Sequence, residues 1–275
     1  MKKINFTDVN PLSNRESFLI KNEIINTIKN KDFILGQNVS KFEKKFSKMS
    51  NSNFSIGCAN GTDALILALK SLNLKKNHEV IIPGMTYIST GLCVTLNNLK
   101  LVFADVDDDT GLISFDSVKK KLSKNTKAII VVNLYGQKVN IKSLRNIVGK
   151  KIFIIEDSAQ SHFASNCKNC KKKNHLSCYK KEKSLKYSDL SCYSFYPAKN
   201  LGAYGDAGIV TTNNISLYKK IHALRNLGAV KKNVHLYEGI NSRLDTLQAS
   251  ILLKKINLTP KHNNYRRNIS KLYDD

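Results

Sequence analysis

The sequence predicts an α/β fold, a mostly parallel sheet with helices on both faces. Three observations lead there. Short apolar runs of strand length alternate along the chain with stretches of helical periodicity. The runs are almost uniformly apolar, as in strands buried on both faces of a parallel sheet. And 275 residues, 41% of them apolar and including 11 Tyr and 11 Phe, suffice for a sizeable core.

Taken in order, Arg15 to Lys29 carries apolar residues at Phe18, Leu19, Ile20, Ile24, Ile25 and Ile28, close to a helical stripe. Val39 to Met49 continues it at spacings of three and four, after a short apolar turn at Phe33-Ile34-Leu35-Gly36. Residues 1–52 are therefore expected to form a helical segment packed on a larger body spanning 53–258. That body opens with a strand at Ser55–Cys58, and Asn60 then caps a helix running to Leu72. Val80–Ile82 is a strand closed by Pro83-Gly84, followed by a helical run to Leu96. Leu101–Val106, Ala128–Leu134 and Ile152–Ile155 read as strands, with helices around Phe115–Leu122 and Ile141–Val148 between them.

Two places in this pattern carry chemistry. Tyr193–Gly208 begins as an aromatic strand and breaks at Lys-Asn-Leu-Gly and Gly-Asp-Ala-Gly, which places Lys199 where a strand gives way to a loop. That is where open α/β sheets bind ligands. Ile152–Ile155 runs straight into Glu156-Asp157, and a buried carboxylate needs a partner. By residue type alone, Lys199 reads first as a surface charge, and Asp157 is equally readable as a turn cap. The protonated pyridine of pyridoxal phosphate is one partner that makes sense of both, since that cofactor takes a lysine on its aldehyde and a carboxylate at its ring nitrogen. Its phosphate needs a helix N-terminus, and Asn60-Gly61-Thr62 opens one after a strand.

Charge and cysteine content bound the alternatives. The formal net charge is +24, yet only six of the 45 cations are arginine and the 39 lysines are spread over the whole chain. Phosphate and guanine recognition favours the bidentate arginine fork, so the charge reads as compositional bias rather than a nucleic-acid-binding face. It still favours the approach of anionic small molecules. No apolar run reaches the roughly 18 residues of a membrane helix, and Met-Lys-Lys-Ile-Asn-Phe-Thr-Asp lacks a signal-peptide core, so a cytoplasmic protein is expected, with its six cysteines as thiols.

Five segments then occur in a telling order: Asn60-Gly61-Thr62-Asp63-Ala64-Leu65, Pro83-Gly84-Met85-Thr86-Tyr87, Glu156-Asp157-Ser158-Ala159-Gln160-Ser161-His162, Ser194-Phe195-Tyr196-Pro197-Ala198-Lys199-Asn200-Leu201-Gly202, and Asn241-Ser242-Arg243-Leu244-Asp245. Over roughly Phe33 to Tyr273 the chain resembles the DegT/DnrJ/EryC1/StrS sugar aminotransferases. The resemblance implies the aspartate-aminotransferase-like fold (fold type I) and a homodimer with shared active sites. It implies amination of a nucleotide-linked keto sugar with glutamate as donor and pyridoxal 5'-phosphate as cofactor. Carried over by position, Lys199 forms the Schiff base and then shuttles the proton. Asp157 pairs with the pyridine nitrogen, Gln160 bonds the ring hydroxyl oxygen, and Tyr87 stacks on the ring. Gly61, Thr62 and Ser194 hold the phosphate, Asn241 reaches the phosphate in the other subunit, and His162 contacts substrate. The run Pro83–Gly91 looks close to the subgroup acting on deoxythymidine-linked 3-keto-6-deoxyhexoses, which implies a place in polysaccharide or deoxyamino-sugar assembly.

Three departures from the family pattern stand out. Phe163 follows His162 where similar proteins often have glycine, and its bulk is expected to narrow the cleft or shift the turn. Residues 166–189 form a Lys-rich insertion whose Cys167, Cys170, His175 and Cys178 resemble a zinc knuckle with a shortened last interval, against a reading as a solvated loop. And residues 259–275 look like the start of a small C-terminal domain that similar proteins carry further, so a shortened chain that binds cofactor or dimerises without catalysis stands as the alternative. Sugar dehydration on the same fold is disfavoured, because it has histidine where this chain has Lys199.

Overall fold

The computed structural model describes residues 12–164 and 184–274. Cys167, Cys170, His175 and Cys178 lie outside the described residues, so the zinc-knuckle expectation is not addressed by it. Helices α1 (Asn14–Asn30) and α2 (Gln37–Ser50) lead the chain. A capping box between Ser13 and Glu16 starts α1, and Lys31 in the left-handed region ends it.

The central sheet has seven strands: β1 (Phe54–Cys58), β2 (Glu79–Pro83), β3 (Lys100–Ala104), β4 (Thr126–Val132), β5 (Phe153–Asp157), β6 (Leu190–Ser194) and β7 (Gly208–Thr212). Their spatial order is β1-β7-β6-β5-β4-β2-β3, and β7 alone runs against its neighbours, which makes the sheet mostly parallel as expected. The connecting helices are α3 (Gly61–Ser71), α4 (Ser89–Leu96), α5 (Phe115–Lys121), α6 (Ile141–Val148) and α7 (Ile215–Leu224). A small hairpin of β8 (Ala229–Lys231) and β9 (Val234–His235) precedes α8 (Thr246–Lys255) and α9 (Thr259–Asp274).

Successive side chains of a strand face opposite ways, and the core divides accordingly. Ile82, Ile130, Ile155 and Val210 pack with Leu65, Leu69, Val94 and Leu224 of α3, α4 and α7. Their neighbours Ile81, Ile129, Val131 and Ile154 pack the other way, on Val118, Ile141 and Leu144 of α5 and α6. Over the β6–β7 half the second face is covered by Phe42 and Phe46 of α2 with Ala249 and Leu252 of α8, around Tyr193, Phe195 and Ile209. The leading helices are thus built into the body through α8. Among the described residues no helix is long and apolar enough to cross a membrane.

Some sequence boundaries shift. The strand expected at Ala128–Leu134 ends at Val132, because Leu134–Gly136 forms a 3-10 turn with Tyr135 at φ 53°. The strand expected to reach Val106 stops at Ala104, leaving Val106 in an isolated bridge with Ile113. Strand β7 and helices α7 and α8 were not assigned individually from sequence. Phe163 does take the left-handed backbone that suits glycine, φ 57°, but it does not narrow the cleft. Its ring is buried against Phe46 of α2, centroids 5.5 Å apart. Burying a phenylalanine is worth about 1.5–3 kcal/mol, which offsets a strain of about 1–2 kcal/mol.

Candidate active site

Strand β5 ends in two carboxylates that the pleat sends to opposite faces. Glu156 follows Ile154 toward the α5–α6 side and is fully buried, with Lys138 Nζ at 2.7 Å, Ser188 Oγ at 2.6 Å and Asn133 Nδ2 at 3.1 Å. Asp157 follows Ile155 toward α4, where its Oδ2 accepts from Thr90 Oγ1 at 2.9 Å and its Oδ1 from the Ala159 N–H at 3.2 Å. Burial raises the Asp157 pKa, against the pull of those two hydrogen bonds and of the Lys199 charge. A buried carboxylate in that position suits a cationic partner with an N–H to give.

The C-terminal ends of β1, β2, β4, β5 and β6 open into one cavity of about 740 Å³. It collects Gly61, Thr62, Tyr87, Asp157, Gln160, Ser194 and Lys199, seven residues that are scattered over the sequence. Lys199 lies beyond the end of β6, in a turn closed by its own N–H to Tyr196 O at 2.8 Å. Its pKa is lowered by burial, with the Asp157 charge opposing. A lysine so placed sheds its proton more readily than an exposed one.

At the β1 end, Asn60 caps α3 by accepting from the Asp63 N–H at 2.8 Å, which leaves the first turn of α3 pointing into the cavity. Ser194 is pressed against that turn: a Cβ on Gly61 would stand 2.6 Å from Ser194 Cβ. Glycine is needed here for close approach rather than for an unusual φ. Thr62 Oγ1 meets Ser89 Oγ at 2.7 Å, so two hydroxyls and a helix N-terminus converge, the setting for a bound phosphate. These observations fit pyridoxal phosphate at all three of its handles: the aldehyde, the ring nitrogen and the phosphate.

A family model described as the DegT/DnrJ/EryC1/StrS aminotransferase family matches residues 15–275. The chain belongs to that family. It is 35% identical to the UDP-2-acetamido-2-deoxy-3-oxo-D-glucuronate aminotransferase of Pseudomonas aeruginosa, over 98% of this chain and 72% of the relative. It is 36% identical to the dTDP-3-amino-3,6-dideoxy-alpha-D-galactopyranose transaminase of Aneurinibacillus thermoaerophilus, over 98% and 71%. Among solved structures, a DegT/DnrJ/EryC1/StrS aminotransferase from Brucella abortus superimposes with a TM-score of 0.85 at 29% identity, over 99% of this chain and 72% of that one. NtdA of Bacillus subtilis, solved with bound cofactor PMP, gives 0.84 at 28% identity over 94% and 57%. The protein is a pyridoxal-phosphate-dependent aminotransferase of nucleotide sugars, with the fold of that enzyme class.

Two expected site residues stand apart from the family's cavity in this chain. His162 is buried, not presented to a substrate: its ring is 1% exposed, 5.6 Å from both Tyr193 and Phe195. Burial pushes its pKa down to about 3, against the pull of the Ser194 backbone, so the imidazole is neutral. Asn241 is exposed outside the cavity, bridged to Asn226.

Several contributors escaped the sequence reading. Thr90, in the first turn of α4, holds Asp157, and Ser89 holds Thr62. The Tyr135 N–H donates to Gln160 Oε1 at 2.6 Å, which directs the amide's other end away. Tyr196, Asn200 and Asp206 also line the cavity. Both hydroxyls lie within the Pro83–Gly91 run, and their position at a helix start is the signal that sequence offers for them.

Proposed function

We propose that this chain transfers an amino group from glutamate to carbon 3 of a deoxythymidine-linked 3-keto-6-deoxyhexose, with Lys199 as the catalytic amine. The observation that carries the reading is the meeting of Lys199, Asp157 and the α3 N-terminus in one cavity. In this reading Gly61 and Thr62, with Ser194, hold the cofactor phosphate through backbone N–H groups and hydroxyls. Asp157, kept in place by Thr90, would hold the ring nitrogen. Tyr87 would stack on the ring, and Gln160, its acceptor occupied by the Tyr135 N–H, would donate to the ring hydroxyl oxygen. When bound, the cofactor supplies an aldehyde and an electron sink. Lys199 contributes a readily deprotonated Nζ, able to take a proton from the donor's α-carbon and return it to the sugar carbon. Asn241, exposed at the surface, is assigned to the second subunit's phosphate in a homodimer. The domain limits 1–52, 53–258 and 259–275 are part of the same reading.

Two similar relatives differ in their nucleotide and sugar, and both names place the reaction at carbon 3. The Pro83–Gly91 resemblance favours the deoxythymidine-linked substrate. The test is to load the protein with pyridoxal phosphate and record its visible absorbance in the wild type and in Lys199→Ala. The expected result is a band that Lys199→Ala abolishes and that glutamate discharges, with the half-reaction slowed at least about 10³-fold in the variant. The discharged enzyme is then offered deoxythymidine- and uridine-linked 3-keto sugars. A band unaffected by Lys199→Ala sinks the assignment, and faster recharging by the uridine-linked sugar sinks the substrate.

A further inference from the structure

We infer that Asn263, on the last helix, is a positioning residue that locks the Lys199 loop to the loop following Asp157. This rests on the proposed role of Lys199. Asn263 lies in α9, far in sequence from either loop, yet its half-buried side-chain amide touches both. Its Nδ2 donates to the His162 carbonyl at 3.1 Å, and its Oδ1 accepts from Asn200 Nδ2 at 2.8 Å.

The chemistry makes this bridge directional. A backbone carbonyl can only accept, so the Nδ2 end of Asn263 must face His162 and the Oδ1 end must face Asn200. Asn200 is therefore held by its donor end, one residue after Lys199 and itself in the cavity wall. On the other side, His162 follows Gln160 by two residues, in the turn that leaves Asp157. The two loops leave adjacent parallel strands, β5 and β6, whose pairing ends at Asp157 and Cys192. Beyond that point the ladder gives one more bond, Ser158 N–H to Cys192 O at 2.8 Å. Farther out Asn263 adds two side-chain hydrogen bonds to the packing of the His162 ring on Phe195 and so sets the distance between the amine and the groups that grip the ring. A shift of about 1 Å in such a spacing is enough to cost up to 10²-fold in rate.

The test uses the whole chain with Asn263→Leu, Asn263→Ala, Asn200→Ala and the Asn200→Ala/Asn263→Ala double variant. Leu keeps the volume and removes both hydrogen bonds, so a mere packing role leaves Asn263→Leu like the wild type. Amide hydrogen exchange of residues 196–203 is measured on cofactor-free protein, and the glutamate half-reaction on loaded protein. The expected result is exchange and half-reaction each changed roughly tenfold in both Asn263 variants, with β5 and β6 exchanging normally and the double variant no worse than the singles. Exchange and rate at wild-type levels in Asn263→Leu overturn the inference, as do effects that multiply in the double variant. If Asn263→Ala does not fold, Asn200→Ala cuts the same bridge from the other end and carries the same expectation. A wild type that develops no visible band refutes the reading of Lys199 instead, and the exchange data still decide the bridge.

Discussion

Lys138→Met is expected to destabilise the protein by about 3 kcal/mol at neutral pH, through Glu156 rather than through Lys138 itself. Both side chains are buried, 5% and 0% exposed, with Nζ 2.7 Å from Oε2. Removing one partner of such a pair costs about 3–5 kcal/mol, because the other charge is stranded. Glu156 keeps hydrogen bonds from Ser188, Ser191 and Asn133, which puts the cost at the lower end, about 6–12 °C in melting temperature for a domain of this size. The pH dependence separates this from simple loss of packing. In the wild type burial pushes the Glu156 pKa up, but Lys138 and the hydrogen bonds outweigh it and the net shift is downward from 4.5. Its stabilisation is thus present above pH 4.5 and lost as the pH falls through the lowered value. Without Lys138 burial dominates and the folded pKa rises above 4.5. The deficit is then largest above that raised value and shrinks as the pH falls toward 4.5. Thermal melts between pH 5 and 8 of Lys138→Met and of Lys138→Met/Glu156→Gln test this. A loss below about 2 °C at pH 8, or a double variant as unstable as the single one, refutes the reasoning.

Gly61→Ala puts a methyl group 2.6 Å from Ser194 Cβ and 3.1 Å from its Cα, and the strand cannot retreat. A cost of about 1–3 kcal/mol is expected, with pyridoxal phosphate affinity falling about tenfold or more and that of phosphate-free pyridoxal much less. An equal loss for both in parallel titrations removes the phosphate from this corner. Lys255 is 8% exposed and burial lowers its pKa to about 8, with its ammonium 5.0 Å from the Tyr204 ring. A folded pKa below the unfolded 10.5 means that the charged form is penalised below about pH 8 and the penalty is relieved between about 8 and 10.5. Lys255→Met is therefore expected to gain about 1–2 kcal/mol at pH 7, after the lost ring contact, and to lose that advantage by pH 10.5 in denaturant titrations. An advantage that grows with pH contradicts this.

Much of the proposed site was legible because cofactor chemistry demands particular side chains in particular surroundings. Asp157 at the end of an apolar strand, Lys199 after an aromatic one, and Asn60-Gly61-Thr62 at a helix start each left a local trace. His162 shows where that legibility stops. The family resemblance implied contact with substrate, while a histidine beside a carboxylate strand is as readable as a core residue; the ring turns into the aromatic cluster of α2 and β6, a choice made by packing across long sequence separation. Phe163 was expected to narrow the cleft or shift the turn, and packing on α2 likewise decided where its ring went. Strand β7 is as long as β1 or β5, but Gly208-Ile-Val-Thr-Thr starts on a glycine, ends in threonines and follows a loop with Gly202 and Gly205, so it left little trace.

The sequence by itself determined the alternation of strands and helices, the α/β class and the residues proposed to bear the chemistry, since periodicity and residue type act over a few neighbours. Only the tertiary structure decided that β7 runs antiparallel between β1 and β6, that Glu156 turns away from Asp157 to meet Lys138, and that Asn263 joins the two active-site loops. Those outcomes depend on which surfaces meet when the sheet closes its faces. A hydrogen bond between residues a hundred positions apart leaves no periodic mark on the chain.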